Sequence, residues 1–367
     1  MFFRHSHPLR AKTVNKRFFS KKIIYWYEEN KRDLPWRHTR DPYKIWLSEI
    51  ILQQTRVAQG LPYYNRFVEN FPNINSLAKA KEVRVLRLWQ GLGYYSRARN
   101  LHACAKKVRD ELGGIFPPTF EELKKLPGIG TYTAAAIASL AFREPVAVVD
   151  GNVYRVLARV FGIDLDIMSN EGKAYFFEKA NELIDKQQPD LFNQALMEFG
   201  ALQCIPKNPK CDSCIFIKTC IAYQKDQQRF LPVKAKKQKI KKRYFTYIII
   251  EHRGRLLMHK REQGDIWNGL YDFFLIEKSR LLNPEKLLLE HSELKAVDPT
   301  EVSTVFKHVL SHQHLMTRFV WIKFSNDELL KKFMEKNELA FYSKKQVANL
   351  PKPTLVTRFL HESNYLD

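Results

Sequence analysis

The chain reads as two domains of different class, an all-α domain followed by a strand-rich α/β domain, and three observations predict this. From about residue 20 to 222, apolar residues recur at i, i+3 and i+4, as in Leu47, Ile50 and Ile51 or Ile137, Leu140 and Ala141, the period of a helix with one buried face. Beyond residue 243 aromatic and β-branched runs take over at Tyr244 to Ile250, Tyr271 to Ile276 and Leu315 to Phe324, with helical stretches near Pro284 to His291 and Asp327 to Lys336. Between the halves, Arg229 to Arg243 holds eight Lys/Arg and no acid, and Pro232 breaks any helix. An exposed basic connector over 226–243 is expected there, with phosphate as a further contact. At 367 residues the chain exceeds what one core ordinarily supports, and no internal repeat is present.

A net charge of +22 suits a polyanion, and nucleic acid is the commonest partner of such a field. No apolar run approaches the ~20 residues needed to cross a bilayer. Residues 1 to 27 hold seven Lys/Arg and no acid, which resembles a transit peptide. Ile23-Ile24-Tyr25-Trp26-Tyr27 already reads as a core helix, so a basic arm over 1–20 is expected instead. Reduced cysteines and the lack of a secretory signal point to the cytoplasm.

In the helical half, Cys204, Cys211, Cys214 and Cys220 fall within seventeen residues with C-x6-C-x2-C-x5-C spacing. Crowded thiolates in one loop are ligands for Zn²⁺ or an iron–sulfur cluster, not a disulfide framework. Zinc knuckles usually come as two C-x2-4-C pairs and only Cys211 and Cys214 make one, so the spacing leans toward the cluster without excluding zinc. Cys104 has no partner and reads as a buried apolar residue.

Upstream, Leu126-Pro127-Gly128-Ile129-Gly130 opens into Thr131-Tyr132-Thr133-Ala134-Ala135-Ala136. Gly128 and Gly130 allow close backbone approach, and the helix N-terminus offers N–H groups to an anion; ordinary helix packing is the alternative. Asp150 follows an apolar run and precedes a helix, where a plain N-cap is the ordinary reading. Asp41 and Pro42 start another helix as N-cap and N1, and the (i, i+4) spacing then sets Glu49 and Gln53 on one face. An isolated glutamate there would be a surface residue.

The order of these parts changes those readings. A Gly-x-Gly turn, an aspartate about twenty residues on and then a four-cysteine loop resemble the endonuclease III superfamily of DNA glycosylases. Trp46-Leu47-Ser48-Glu49-Ile50-Ile51-Leu52-Gln53-Gln54-Thr55, Leu34-Pro35-Trp36 and Gly91-Leu92-Gly93-Tyr94-Tyr95-Ser96-Arg97-Ala98-Arg99-Asn100-Leu101-His102 are similar to the signatures of its MutY family of adenine DNA glycosylases. The resemblance runs from about residue 20 onward. It implies a helix-hairpin-helix glycosylase domain over 21–225, with the hairpin at 126–137 and a [4Fe–4S] loop at 204–220, then a Nudix-like lesion-recognition domain over 244–367.

The resemblance implies roles for single residues. Glu49 would protonate adenine N7, and Asp150 would face C1′ and form a transient sugar adduct. Two carboxylates in one desolvated pocket cannot easily both ionise, so Glu49 is expected to keep its proton and Asp150 its charge. Asn152 would support that centre. Tyr132 stands where bifunctional relatives carry the lysine of a Schiff base, and without an amine that lyase step is lost. Adenine must leave the stack first, with Tyr94 and Gln54 as wedge and Gln53 lining the gap.

The cysteine loop lies too far along the chain to assign to the chemistry and would set Lys207, Lys210 and Lys218 against phosphate. Residues 244 to 367 lack the Glu-rich G-x5-E-x7-R-E-x2-E-E metal motif, so the second domain should bind and not hydrolyse. Leu310, Ser311 and His312 occupy the family's Phe-Ser-His turn, which reads the oxidised base. Leu310 wedges but cannot stack, and base contact or packing is favoured over a metal for the nearby histidines. The expected partner is duplex DNA with adenine opposite 8-oxoguanine, bound by a monomer in a bacterial cytoplasm at the nucleoid. A bifunctional glycosylase/lyase is opposed by Tyr132, and a non-catalytic DNA-binding protein by Glu49 with Asp150.

Overall fold

The computed structural model describes residues 15–235, 240–262, 264–291, 294–295, 297–310, 312–324 and 326–366. Among them no helix is long and apolar enough to cross a membrane. The described chain divides into two compact units. The first takes the residues up to Ala78 and those from Ala103 to the connector, and the second takes Lys79–His102 with everything after it.

Helices and no strand build the first unit among the described residues. Its first helix, Lys16–Asn30, starts where the Asn15 side chain accepts from Arg17 N at 2.9 Å. It therefore begins inside the segment read as a basic arm, whose residues 1–14 lie outside the described ones. Phe19 explains the early start: it is fully buried and stacks on Phe216 with ring centroids 4.9 Å apart. Burying a Phe contributes about 1.5–3 kcal/mol, enough to hold a first turn of lysine and arginine. Helix Pro189–Leu202 packs on Lys16–Asn30 and on Gly151–Phe161, joining Phe192, Leu196 and Phe199 to Phe19, Ile23 and Val156 in one core. Helix Pro42–Leu52 packs on Thr131–Phe142. The buried run Ala134, Ala135, Ala136 and Ala138 on the latter lets neighbouring helices approach closely.

The second unit is a mixed sheet with helices. Its strands are β1 (Lys241–His252), β2 (Arg255–Lys260), β3 (Tyr271–Asp272), β4 (Phe274–Lys278), β5 (Pro299–Val302), β6 (Phe306–Val309), β7 (Gln313–Ile322) and β8 (Ala340–Ser343). The order is β3-β2-β1-β7-β5, with β4 on β1, β6 on β7 and β8 on β2. β1 runs parallel to β7 from Lys241↔Gln313 to Ile250↔Ile322. Both faces of β1 are covered: Phe245, Tyr247 and Ile249 share a core with Val356, Phe359 and Leu360, while Ile248 and Ile250 meet Leu287, Leu288, Leu330 and Phe333. That double burial is why β1 reads as a continuous apolar run and not an alternating one.

Two features depart from the sequence reading. The segment around Tyr94, which periodicity assigns to the helical half, groups with the sheet. In addition, Arg243 is not an exposed connector residue. It lies in β1 with its side chain about 10% exposed, donating to Asp265 at 2.7 Å and to Glu277 at 2.6 and 2.8 Å. A guanidinium can enter the sheet there because two carboxylates meet its planar fork. Arg243→Met should therefore lower the stability of this unit by about 1–2 kcal/mol in a denaturant titration. The loss stays below the roughly 3–5 kcal/mol of a fully buried pair because both carboxylates keep contact with water.

Candidate active site and cysteine loop

Glu49 sits in the last turn of Pro42–Leu52, a helix capped by Asp41, whose side chain accepts from Tyr43 N at 2.9 Å. It is 8% exposed. Tyr132, in the first turn of Thr131–Phe142, donates its hydroxyl to Glu49 Oε2 at 2.8 Å. Burial pushes the Glu49 pKa up to about 7; the Tyr132 hydrogen bond and Arg37 oppose the rise, and the charge of Asp150 adds to it. Burial, together with Glu49 and Asp150, also lifts the Tyr132 hydroxyl well above its ordinary value. The phenol stays protonated and serves as a donor.

Asp150 is the N-cap of Gly151–Phe161, accepting from Asn152 N and Val153 N at 2.8 Å each. Its second oxygen accepts from Asn152 Nδ2 at 2.7 Å. Burial raises its pKa above the ordinary carboxylate value, and the three donors hold it back. The N-cap and catalytic readings are thus compatible, because the cap supplies the hydrogen bonds that favour the charged form. Asn152 Oδ1 in turn accepts from Arg155 Nη2 at 2.8 Å. Glycine is required at 200, where a Cβ would lie 2.6 Å from Asn152 Cβ and 2.9 Å from its carbonyl oxygen.

A cavity of about 50 Å³ opens beside Glu49, lined by Trp36, Arg37, Ile45, Ser48, Glu49, Leu140, Gln194 and Met197. The sequence reading missed Arg37, Gln194 and Met197, which lie on elements far apart in the chain. Arg37 is held by Glu198, a carboxylate 1% exposed that receives Arg32 at 2.6 Å and Arg37 at 2.8 Å. Burial pushes Glu198 upward, but the two guanidiniums prevail and hold it at about 2. The Tyr27 hydroxyl fixes Gln194 by donating to its Oε1 at 2.6 Å.

The duplex-contact candidates fall in three places. Gly128 turns the chain at φ +73°, and Gly130 caps Thr131–Phe142 without a side-chain bond, which leaves first-turn N–H groups directed at any acceptor. The helix ends at Leu52; Gln53 follows as its C-cap and donates Nε2 to Thr133 Oγ1 at 3.2 Å, next to the Tyr132 that bonds Glu49, and Gln54 lies at φ +55°. Tyr94 lies at φ +48° and is 44% exposed. In the second unit, Leu310 packs partly against the core and His312 is exposed. Leu310 N donates to Gln313 O at 2.9 Å across the β6–β7 turn. Ser311 lies outside the described residues.

Cys204, Cys211, Cys214 and Cys220 are free thiols lining one cavity with Arg159, Phe199 and Ile217. Arg159 Nη1 donates to Cys204 Sγ at 3.5 Å and Phe216 N to Cys214 Sγ at 3.4 Å. Burial raises Cys214 to about 12 and Cys220 to about 11, so thiolates here need a cationic centre. Among the described residues no His, Cys, Asp or Glu group is gathered round the point where one ion would sit. The loop is nearer the carboxylates than the chain separation suggests. Arg155 donates to Cys204 O at 2.6 Å through Nε and to Asn152 through Nη2.

One consequence concerns stability. Glu49 titrates near 7 when folded against 4.5 in the unfolded chain. Its contribution is therefore fully present below pH 4.5 and is lost as pH rises through 7. Glu49→Gln keeps the shape without the charge, and its stability gain, measured by denaturant titration, should be near zero at pH 4.5 and about 3 kcal/mol at pH 8.

Comparison with known proteins agrees with this geometry. The HhH-GPD superfamily base excision DNA repair protein model matches residues 47–184, and a NUDIX domain model matches 245–362. The adenine DNA glycosylase of Buchnera aphidicola subsp. Baizongia pistaciae (strain Bp) is 34% identical over 348 residues, covering 93% of this chain and 95% of that one. The adenine DNA glycosylase of Mus musculus is 46% identical over 219 residues, 57% of this chain and 42% of its own. Among solved structures, a thermostable thymine-DNA glycosylase superposes with TM-score 0.53 at 34% identity over 57% of this chain and 97% of its own. A non-covalent endonuclease III–DNA complex shares the fold, with TM-score 0.51 at 22% identity over 59% of this chain and 100% of its own. With a helical HhH-GPD domain, a Nudix-like sheet and a relative matched almost end to end, the chain belongs to the adenine DNA glycosylase family.

Proposed function

We propose that the chain removes adenine paired with 8-oxoguanine or guanine in duplex DNA, as a monofunctional glycosylase that flips the base and leaves the strand intact. The observation that carries this is Glu49, a carboxyl held near pKa 7 by burial at the wall of a cavity, with Asp150 close enough to raise it further. Glu49 gives its proton to adenine N7, and the C1′–N9 bond breaks with its electron pair leaving on the base. Asp150 meets the positive charge that develops at C1′ and captures it as a transient ester. Water then displaces the carboxylate and returns a proton to Glu49, giving free adenine and an abasic sugar. Asn152 orients Asp150, and Tyr132 holds Glu49 as a hydrogen-bond donor, offering no amine for strand cleavage.

In this reading Tyr94 and Gln54 hold the duplex open, Gln53 lines the gap and the amides after Gly128 and Gly130 take a phosphate. Ser311 and His312 read the oxidised base. The +22 charge suits binding to the phosphates of DNA, and the proposed setting is a monomer on nucleoid DNA in a bacterial cytoplasm. Cys204, Cys211, Cys214 and Cys220 would hold a [4Fe–4S] cluster. A cavity shared by the four cysteines and the Arg159 guanidinium donating to Cys204 sulfur support it. When bound, the cluster supplies positive charge that organises the loop.

Single-turnover cleavage of a duplex with one adenine opposite 8-oxoguanine tests the activity. Strand breaks should appear only after alkali, and the rate should fall as pH rises through about 7, because the acid must be protonated. Breaks without alkali would move the chain to the lyase class, and tight binding without release would favour a non-catalytic protein. Iron analysis checks the cysteines: the purified protein should carry about four irons per chain, and Cys214→Ser should lose them together with DNA affinity.

A further inference from the structure

Tyr94, the wedge of the proposed reading, is a bulky residue in the left-handed region, a conformation that persists only where its surroundings impose it. Local contacts fix the turn itself. Trp89 Nε1 donates to Gly93 O at 2.9 Å, and the Arg97 guanidinium lies 5.7 Å from the Tyr94 ring and 5.1 Å from the Trp89 ring. What anchors the two helices on either side is the C-terminal half of the same unit. Gln90 Nε2 donates to Thr357 Oγ1 at 2.8 Å, Tyr95 Oη to Lys352 O at 3.2 Å, and Arg99 to Asn268 O. The Lys352 residue is itself 1% exposed, with its ammonium bonded to Val347 O and Leu350 O. Thr357 shares helix Thr354–Glu362 with Phe359, which stacks on Phe319 of β7 at 3.8 Å and meets Phe306 of β6 at 6.0 Å. Those two strands carry the turn with Leu310 and His312.

We propose that Thr357 and Lys352 are positioning residues for Tyr94, so that the wedge and the lesion-reading turn belong to one packed body. The inference rests on the wedge reading and adds to it which residues set the wedge. Removing an anchor should weaken engagement of the mispair without slowing bond breaking at saturation.

The test uses Thr357→Val and Tyr95→Phe, each alone and combined with Tyr94→Ala, in the full chain. Single-turnover rates are measured against enzyme concentration on adenine·8-oxoguanine and adenine·guanine duplexes, with 2-aminopurine fluorescence beside the 8-oxoguanine reporting insertion. Each anchor variant should raise the half-saturating concentration on the 8-oxoguanine duplex roughly three- to ten-fold and reduce the fluorescence rise, with the maximal rate kept. Neither should add to the loss when Tyr94 is already alanine. Unchanged half-saturation in both variants, or equal losses with and without Tyr94, would overturn the proposal. Should Tyr94→Ala alone be silent, the wedge reading fails and the inference falls with it. Tyr95→Phe removes only a hydroxyl, so the test survives if Thr357→Val folds poorly.

Discussion

Two carboxylates taken out of water near each other repel, and each must find either a proton or a set of donors. The first unit is arranged around that requirement. Glu49 receives one neutral donor, the Tyr132 phenol, and is pushed up to about 7. Asp150 receives three N–H groups, two from the start of its own helix and one from Asn152. Burial raises both, and the donors around Asp150 hold its rise back. A helix N-terminus is a natural place for the second carboxylate because its amides and dipole favour negative charge.

Arginines fasten this arrangement at a distance. Arg155 reaches from Asn152 to the Cys204 carbonyl, and Arg159 bonds Ile205 O, Pro206 O and Leu231 O while touching Cys204 sulfur. One helix, Gly151–Phe161, thus carries the Asp150 cap at its start and the clamps on the cysteine loop along its length. Arg32 and Arg37 around Glu198 do the same for the wall of the cavity. In each case a planar fork satisfies several acceptors that would otherwise be buried without partners.

The second unit depends on a different constraint. β1 is buried on both faces, so its neighbours must be covered by helices on either side, and Thr354–Glu362 covers one. The helix Glu82–Trp89 and the start of Tyr95–Glu111 join this body through Thr357, Lys352 and Asn268. A side chain at Gly269 would come within 3.6 Å of Leu86, which shows how closely the loop before β3 approaches that helix.

The amino-acid sequence alone determined the two classes of domain and the helix starts at Asp41 and Asp150. Those signals are local: the period of apolar residues and one side chain bonding an amide two or three positions on. The pattern around Glu49, the Gly128–Gly130 turn and the four cysteines was legible for the same reason, as each lies within a short run. Only the tertiary structure decided that Gln53 meets Thr133, that Arg243 enters the sheet, that Tyr94 groups with the second unit and that Arg37, Gln194 and Met197 complete the cavity. These outcomes depend on partners tens to hundreds of residues away, and an apolar or basic residue carries no local mark of which distant group will meet it.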